Sequence, residues 1–311
     1  MRLWHTRYRI KLWSTGTMHK PKSPTPRLAI EFTNECNFRC TLCPQSTYRK
    51  PSPGGNRFDR DKGYLSDEVF DAFLVNARKY AKRVTVGFFG EPMLHPKFSE
   101  YMTKLAESRS YKLTLFSNWA LFADEMVPAI KGCDEVRISL DASNNELFQT
   151  LCPSSEYYTI VGNIQQWLRV RNRPHTYLVF VTSSINQHDK GTFLRAWLPK
   201  LPKRDGVITK AAISYGGVMK DDYMYANTCN ILQKRRMVVA WNGDCSPCNL
   251  DVNIDMNVGN VLRGGMAEIA ASERYASQLI SIRHRSGICV GCFDSNNHRE
   301  TVFHSGELSY A

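Results

Sequence analysis

The segment LAIEFTNECNFRCTLC, residues 28–43, joins a short apolar run to three closely spaced cysteines. The apolar run predicts a β-strand, and Cys36, Cys40 and Cys43 follow it in a CxxxCxxC pattern. Zinc sites usually pair their cysteines as CxxC and close with four ligands. A cubane iron-sulfur cluster held by only three thiolates keeps one iron open to a small-molecule ligand. We therefore predict such a cluster on the loop after the first strand.

Strand-like and helix-like segments alternate after this loop. A helix with Ser66 as its N-cap is predicted over residues 65–80, and further helical segments separate the later strands. This order predicts right-handed βαβ units and a parallel sheet, open or curled into part of a barrel, with the chemistry at the C-terminal strand ends. The strands predicted after the first are VTVGFF (84–89), YKLTLFS (111–117), EVRISL (135–140), TYLVFVTS (176–183) and VITKAAISY (207–215).

The positive charge of the chain is concentrated at its start. The formal net charge is +12, and residues 1–27 carry seven basic and no acidic side chains, which leaves +5 for the other 284 residues. The alternation in RYRIKLW (7–13) predicts a strand with one basic face. Elsewhere basic residues are not interleaved with stacking aromatics, so a solvated face or an anionic small molecule is favoured over nucleic acid.

The ten cysteines are expected to be reduced. The start of the chain has no uninterrupted apolar core of the kind that a secretory signal carries. The apolar runs also fall well short of the roughly 18 residues that a membrane span needs. These features predict a cytoplasmic protein without a membrane partner, whose thiols are available for metal or redox chemistry.

On its cysteine loop the chain resembles the radical S-adenosylmethionine (radical SAM) enzymes, over residues 28 to about 215. The resemblance implies an α/β fold with a partial (βα)6 TIM-like barrel. In that superfamily the open iron binds SAM, and reductive cleavage of SAM gives a 5′-deoxyadenosyl radical that removes a hydrogen atom from the substrate. The resemblance also implies an external reductant such as flavodoxin or ferredoxin.

Three further segments resemble the SAM-binding motifs of this superfamily. FFGEP (88–92) is similar to the GGEP motif that holds the SAM ammonium, with Phe89 in place of the first glycine. ISLDA (138–142) is similar to the strand that contacts the ribose, and FSN (116–118) stands where many relatives have TNG. A solvated loop acid and a turn residue are the alternatives for the Glu and the Asn. The resemblance implies the SAM contacts Leu42, which replaces the usual aromatic residue near the adenine, Gly90, Glu91, Pro92, Asn118, Ser139 and Asp141.

The last third of the chain resembles the twitch half of a SPASM domain. RMVVAWNGDCSPCNL (236–250) predicts a β-hairpin that turns at Asn242-Gly243, and a long helix is predicted over about residues 265–283. A four-thiolate zinc site is the alternative, because spacing alone does not separate it from an iron-sulfur cluster. By the resemblance, the ligands of an auxiliary [4Fe-4S] cluster are Cys229, Cys248, Cys289 and Cys292, whereas Cys133 and Cys152 are expected to be ordinary buried thiols.

A second cluster suggests that the substrate is oxidised. Twitch-containing relatives such as 2-deoxy-scyllo-inosamine dehydrogenase pass a substrate electron to this cluster. Dehydrogenation also needs a base; sulfatase-maturing relatives have an Asp directly after the hairpin cysteine, where this chain has Asn249, and Asp251 is the nearest acid. Cys245 is open to three interpretations: a ligand in place of Cys248, an inert buried thiol, or a hydrogen-atom donor.

The leading hypothesis is thus a dehydrogenase of a polar small molecule such as a sugar, an aminocyclitol or a nucleotide-like intermediate. The alternatives are a redox-neutral epimerase that uses Cys245 and a peptide-modifying enzyme, although 27 leading residues are too few for the usual leader-binding domain. A non-catalytic metal-binding module is the alternative from another class. We expect a basic N-terminal extension over 1–27, the barrel over 28–215 and the auxiliary cluster domain over 216–311.

Overall fold

The computed structural model describes residues 27–45, 58–108, 110–219, 229, 236–292 and 300–305. The basic strand predicted over residues 7–13 lies outside these ranges, as does all of the predicted N-terminal extension except Arg27. The strands of the described part are β1 Arg27–Ile30, β2 Arg83–Val86, β3 Lys112–Ser117, β4 Glu135–Ser139, β5 His175–Thr182, β6 Gly206–Ala211, β7 Arg236–Val239, β8 Asp244–Ser246, β9 Gly259–Asn260 and β10 Thr301–His304.

The helices alternate with the strands as far as β6, as the sequence predicts. Ser66 caps α1, because its hydroxyl accepts a hydrogen bond from the Val69 amide at 3.2 Å. None of the described helices has both the length and the apolar character that a membrane crossing requires. The helices are α1 Asp67–Tyr80, α2 Phe98–Glu107, α3 Val127–Lys131, α4 Asn145–Leu151, α5 Tyr157–Leu168, α6 Lys190–Trp197, α7 Met266–Ala271 and α8 Glu273–His284.

One continuous sheet runs through the described part of the chain, in the order β10-β6-β5-β4-β3-β2-β1-β7-β8-β9. Strands β1 to β6 pair in parallel, and β7 adds to the free edge of β1, also in parallel. The remaining pairs, β7 with β8, β8 with β9 and β6 with β10, are antiparallel. The predicted α/β fold with a parallel-dominated sheet is confirmed, and the C-terminal hairpin extends the same sheet.

The parallel part of the sheet is strongly curved. Alternate residues of its strands, such as Val136 and Ile138, are fully buried against the helices, whereas their neighbour Arg137 is only half-buried on the opposite face. The ammonium of Lys210 on β6 lies 5.8 Å from the centre of the Phe116 ring on β3. The charge of Arg236 at the start of β7 also acts on Lys210, although β7 is six places from β6 in the sheet. On a flat sheet two strands six places apart would be about 29 Å apart. The strands therefore curl toward one another around a concave inner face, as in a partial barrel.

Two elements differ from their predicted bounds for identifiable reasons. The sixth strand ends at Ala211 and not at residue 215, because the chain folds back and the Met219 amide donates to the Ser214 carbonyl at 2.9 Å. The helix predicted over 265–283 is two helices. Ser272 separates them, since its hydroxyl donates to the Ile269 carbonyl at 2.7 Å and accepts from the Tyr275 amide at 3.1 Å.

Helix α4 and strand β10 have no counterpart among the predicted elements. Helix α4 is capped by Asn144, whose side-chain oxygen accepts from the Leu147 amide at 3.0 Å. Its last turn supports the cysteine loop, because the Leu151 carbonyl accepts from the amide and the hydroxyl of Thr41. The division of the chain at residues 215 and 216 stays a prediction.

Candidate active site

The first cysteine loop begins where β1 ends, and it is held by side chains that precede the cysteines. The amide group of Asn34 donates to the Asp61 carbonyl at 2.7 Å and accepts from the Gly63 amide at 3.0 Å. These bonds fix the loop against residues 58–64, which cross over the strand end. The backbone turn that follows brings the three thiols of the motif into one neighbourhood, where their charges interact.

Burial governs the ionisation of these thiols. It raises the pKa of Cys36 and of Cys43 to about 12, because a thiolate is poorly solvated there. The Phe38 amide donates to the Cys36 sulfur at 3.4 Å, which partly offsets this effect. In the metal-free chain the thiols are therefore protonated at neutral pH, and cluster assembly must release protons.

The Gly90-Glu91-Pro92 segment docks directly onto the residues before the first cysteine. Gly90 has φ +75°, and a Cβ atom at this position would lie 2.2 Å from the Thr33 carbonyl oxygen and 2.5 Å from that of Glu35. Only glycine fits so close a backbone approach. The Glu91 amide then donates to the Glu35 carbonyl at 2.8 Å. The motif glycine thus fixes the carboxyl group of the next residue beside the cysteine loop.

The Glu91 carboxyl group is buried and anchored at both oxygens. One oxygen accepts from the Met93 amide at 3.1 Å and from the Ser117 hydroxyl at 2.9 Å, and the other accepts from the Asn118 amide at 2.7 Å. A carboxylate offers about four acceptor positions, so capacity for a further donor remains. Burial raises the pKa of Glu91 to about 7. A cationic group bound here would favour the ionised form.

The other predicted SAM contacts lie around the same strand ends. Asn118 donates to the Asn37 side-chain oxygen at 2.8 Å, which ties the end of β3 to the cysteine loop. Ser139 ends β4 on the concave face, and its hydroxyl has no partner among the described residues. Asp141 accepts from the Val181 amide at 2.7 Å, and burial raises its pKa to about 6. Leu42 packs, half-buried, on the barrel core.

The four cysteines predicted as auxiliary ligands share a second, smaller apolar cluster. Cys248 is buried with Leu250, and half-buried cysteines from distant segments pack around it. The charges of these thiols interact, and burial raises the pKa of Cys248 well above its usual value. We call Cys36, Cys40 and Cys43 the first thiol set. The second thiol set is Cys229, Cys248, Cys289 and Cys292.

A strained turn joins the second thiol set to the barrel. Tyr215, Gly216 and Gly217 have φ values of +48°, +69° and +89° in succession. A Cβ atom on Gly217 would lie 2.7 Å from the carbonyl oxygen of Gly291, in the middle of the CVGC loop. The two backbones touch, so the turn fixes where this loop lies.

The side chain of Tyr215 lies between the two thiol sets. It packs against the apolar cluster that contains Cys248, and its ring centre lies 5.7 Å from that of Phe89 beside the GEP segment. The charges of Cys40 and Cys43 act on its hydroxyl, whose pKa is raised mainly by burial. The hydroxyl has no hydrogen-bond partner among the described residues.

Cys245 lies apart from both thiol sets. It is fully buried on β8 in the main core, and its thiol donates to the Gly243 carbonyl at 3.6 Å. The predicted turn is present: Gly243 has φ +87°, and its amide donates to the Ala240 carbonyl at 2.9 Å. The hydrogen-donor role of Cys245 stays a prediction, and these contacts favour the inert interpretation.

Asp251 organises the loop that carries Cys248. Its carboxylate accepts from the Ser246 hydroxyl at 2.7 Å and from the amides of Asp255 and Met256 at 2.9 Å each. The Ser246 hydroxyl in turn accepts from the Cys248 amide at 3.2 Å. The base role of Asp251 stays a prediction, and three internal donors favour a structural role.

The sequence did not predict a buried ion pair that connects strand β1 with the hairpin and with the loop after Cys248. The guanidinium of Arg60 binds both carboxylate oxygens of Glu31 at 2.7 Å, and it donates to the Val252 carbonyl in the loop after Cys248. Glu31 also accepts from the Trp241 amide in the hairpin. A charged residue in the otherwise apolar run LAIEFT is the only signal that pointed to it.

Cys152 is buried, as expected of an ordinary thiol, and its proximity raises the pKa of Cys40. Among the described residues no three His, Cys, Asp or Glu side chains are arranged as ligands of one metal ion. An iron-sulfur cubane instead binds each thiolate through a different iron. Three neighbouring thiols on one loop, and four thiols in or around one apolar cluster, fit one such iron-sulfur cluster each.

Both regions of the chain match known protein families. The Radical SAM superfamily model matches residues 30–193, and the model of the SPASM iron-sulfur cluster-binding domain matches residues 229–293. The tungsten-containing aldehyde ferredoxin oxidoreductase cofactor-modifying protein of Pyrococcus furiosus is 21% identical, over 85% of this chain and 86% of that protein.

Two solved structures show the likeness in fold. BtrN in complex with AdoMet and 2-DOIA is similar with a TM-score of 0.59 and 15% identity, over 90% of this chain and 98% of that one. Streptococcus suis SuiB bound to the precursor peptide SuiA gives a TM-score of 0.63 and 13% identity, over 86% of this chain and 69% of that one. At these identities the likeness is one of fold.

Proposed function

The chain belongs to the radical SAM superfamily, and from that premise we propose that it dehydrogenates an alcohol carbon of a polar small molecule. It is an enzyme that binds SAM and a [4Fe-4S] cluster, with a SPASM domain for the auxiliary [4Fe-4S] cluster. When bound, these groups supply a 5′-deoxyadenosyl radical and an acceptor for one electron. We also propose that an external donor, such as flavodoxin or ferredoxin, supplies the single electron that SAM cleavage requires.

The observation that carries this proposal is the position of Tyr215. The residue packs on the apolar cluster that contains Cys248, and the charges of two thiols of the first set act on its hydroxyl. A substrate at the concave face beside Tyr215 would therefore be near both clusters. Loss of a hydrogen atom, a proton and an electron from the alcohol then leaves a carbonyl group.

We assign the SAM contacts from the predicted residues and their surroundings. Glu91 has a carboxylate with spare acceptor capacity, and Asn118 holds the end of β3 against the cysteine loop. Ser139 and Asp141 lie on the concave face at the end of β4, where a ribose would meet an unpartnered hydroxyl and a carboxylate. Cys36, Cys40 and Cys43 would hold the first cluster, and the second thiol set would hold the other.

Epimerisation is less well supported than oxidation. An epimerase needs a hydrogen-atom donor that reaches the substrate radical, and Cys245 is fully buried in the main core. Peptide modification is a candidate because SuiB, one of the structural neighbours, binds a precursor peptide. The other neighbour above, BtrN, binds the small molecule 2-DOIA and matches a larger share of both chains. This difference favours a small substrate, of the sugar, aminocyclitol or nucleotide-like class.

Product analysis after anaerobic reconstitution tests the proposal. The enzyme is reduced in D2O with SAM and a panel of sugars, aminocyclitols, nucleosides and short peptides, and 5′-deoxyadenosine is measured with each. Dehydrogenation yields a product lighter by two hydrogen atoms, with one 5′-deoxyadenosine formed per product. A product of unchanged composition with deuterium at a former C–H carbon would overturn the proposal in favour of epimerisation, and absence of 5′-deoxyadenosine would indicate a non-catalytic module.

A further inference from the structure

Lys210 places a single ammonium group inside the curved sheet. It is the last residue but one of β6, and its register partner on β5 is Val181. The side chain is half-buried and crosses the concave face, so that its nitrogen lies 5.8 Å from the centre of the Phe116 ring. A lysine on a strand end usually extends into water, where its charge is solvated. This one is directed inward instead.

Arg137 and Asp141, two other charged residues on the concave face, have partners of their own. Arg137, whose guanidinium lies 5.2 Å from the same Phe116 ring, forms ion pairs with Glu135 and with Glu300. Asp141 accepts from a backbone amide. Lys210 itself forms no hydrogen bond or ion pair with any described residue, although these charges and that of Arg236 act on it.

An ammonium group carries three donors, and a partly buried one without an acceptor lowers the stability of the fold. Burial lowers the pKa of Lys210, as expected for a cation that has lost solvent and gained no partner. Stability therefore does not explain why the residue lies here. A role in the active site does explain it. Lys210 lies on the concave face, only five residues before Tyr215, which lies between the two thiol sets.

We propose that the Lys210 ammonium binds an anionic group of the substrate, a carboxylate or a phosphate ester, with the Phe116 ring as the apolar wall beside it. This inference rests on the proposed function in one respect only, namely that the ligand is the substrate of this site. An anion held at Lys210 places the remainder of the molecule toward the strand ends, where the Tyr215 hydroxyl has no hydrogen-bond partner among the described residues. The substrate is thus a polar alcohol with a negative charge at one end.

Equilibrium dialysis of the reconstituted enzyme with inorganic phosphate and, separately, with succinate tests the inference. The wild-type enzyme is expected to bind at least one of the two anions at a single site. Lys210→Met should weaken this binding about ten-fold or more, because a charge-assisted hydrogen bond is lost, whereas Lys210→Arg should largely retain it. Lys112→Met is the matched control, since Lys112 lies exposed at the opposite end of the sheet.

The two anions separate the two sources of charge: selective binding of phosphate indicates a phosphate ester, and selective binding of succinate a carboxylate. Failure of the wild-type enzyme to bind either anion, or equal binding by Lys210→Met, would overturn the inference. Thermal unfolding tests a purely structural role for Lys210. If the role were structural, Lys210→Met should lower the midpoint of unfolding, whereas removal of an unpartnered charge should raise it. Since binding needs no turnover, a redox-neutral product would overturn the proposed function and leave this inference intact.

Discussion

The two thiol sets reach their positions by different means. The first set lies within eight consecutive residues, on a loop that one strand end and the last turn of α4 support. The second set is gathered from three separated segments, and its position depends on the hairpin and on the backbone contact between Gly217 and Gly291. The first offers three thiols and the second offers four. On the proposed ligand assignment, the local motif would leave one iron of its cluster open, and the tertiary assembly would supply a ligand to every iron.

The largest expected effect separates the two sets by function. Cys40→Ala should abolish SAM cleavage, because the cluster that binds SAM loses one of only three thiolates. Cys229→Ala should retain at least part of the SAM cleavage, since that thiol belongs to the other set. Quantification of 5′-deoxyadenosine after reduction measures both. Equal loss in the two variants would remove the functional distinction between the sets.

The next prediction breaks the tertiary assembly without touching a thiol. Gly217→Ala adds a Cβ atom 2.7 Å from the Gly291 carbonyl at a φ of +89°, so the CVGC loop must move. The iron content should fall from about eight to about four per chain, while SAM cleavage persists. Gly162→Ala is the control, since a Cβ atom there meets no atom within 4 Å, and in a helix it should stabilise the chain by about 1 kcal/mol. Full iron in Gly217→Ala would show that the contact does not position the loop.

A third prediction concerns the ion pair that links the surroundings of both sets. Glu31→Gln should lower the free energy of unfolding by about 3–5 kcal/mol, because it leaves the Arg60 guanidinium buried without its counter-ion. Urea unfolding of the cluster-free chain measures the change. The exposed pair of Lys104 and Glu100 provides the control, and Glu100→Gln should change the same quantity by less than about 0.5 kcal/mol. Similar effects in both variants would contradict the linking role of Arg60.

The smallest expected effect is a pH dependence at the first set. Burial raises the folded-state pKa of Glu91 to about 7 from an ordinary value near 4.5, so the folded chain binds more protons than the unfolded chain between these values. The stability of the cluster-free, SAM-free chain should therefore fall as the pH rises from about 4.5 to 7, by up to about 3 kcal/mol.

Glu91→Gln should remove most of this slope between pH 5 and 7, whatever its effect on absolute stability. Asp141, whose pKa is raised to about 6, contributes in the same direction at the lower end of the range. Urea unfolding at a series of pH values measures the slope. An unchanged slope in Glu91→Gln would show that this carboxyl group does not titrate as its burial requires.

Residues that act within a few positions of one another were predictable from the sequence. The CxxxCxxC loop, the GEP segment and the Asn242-Gly243 turn carry their conformation in their own residue types. Contacts between distant segments were not predictable, because neither periodicity nor the spacing of residues indicates which segments meet. Glu31 pairs with Arg60 across 29 positions, and Gly217 meets Gly291 across the whole auxiliary region. Periodicity alone also predicts one helix over residues 265–283, whereas the hydrogen bonds of Ser272 divide this segment into two helices.

The central claim is that one cluster is open to SAM and the other is closed. Electron paramagnetic resonance of the reduced, reconstituted protein, recorded with and without SAM and paired with metal analysis, tests it most directly. We predict about eight iron atoms per chain and two [4Fe-4S] signals, of which SAM changes one and leaves the other as it was. About four iron atoms with one zinc, or two signals that both respond to SAM, would contradict the account.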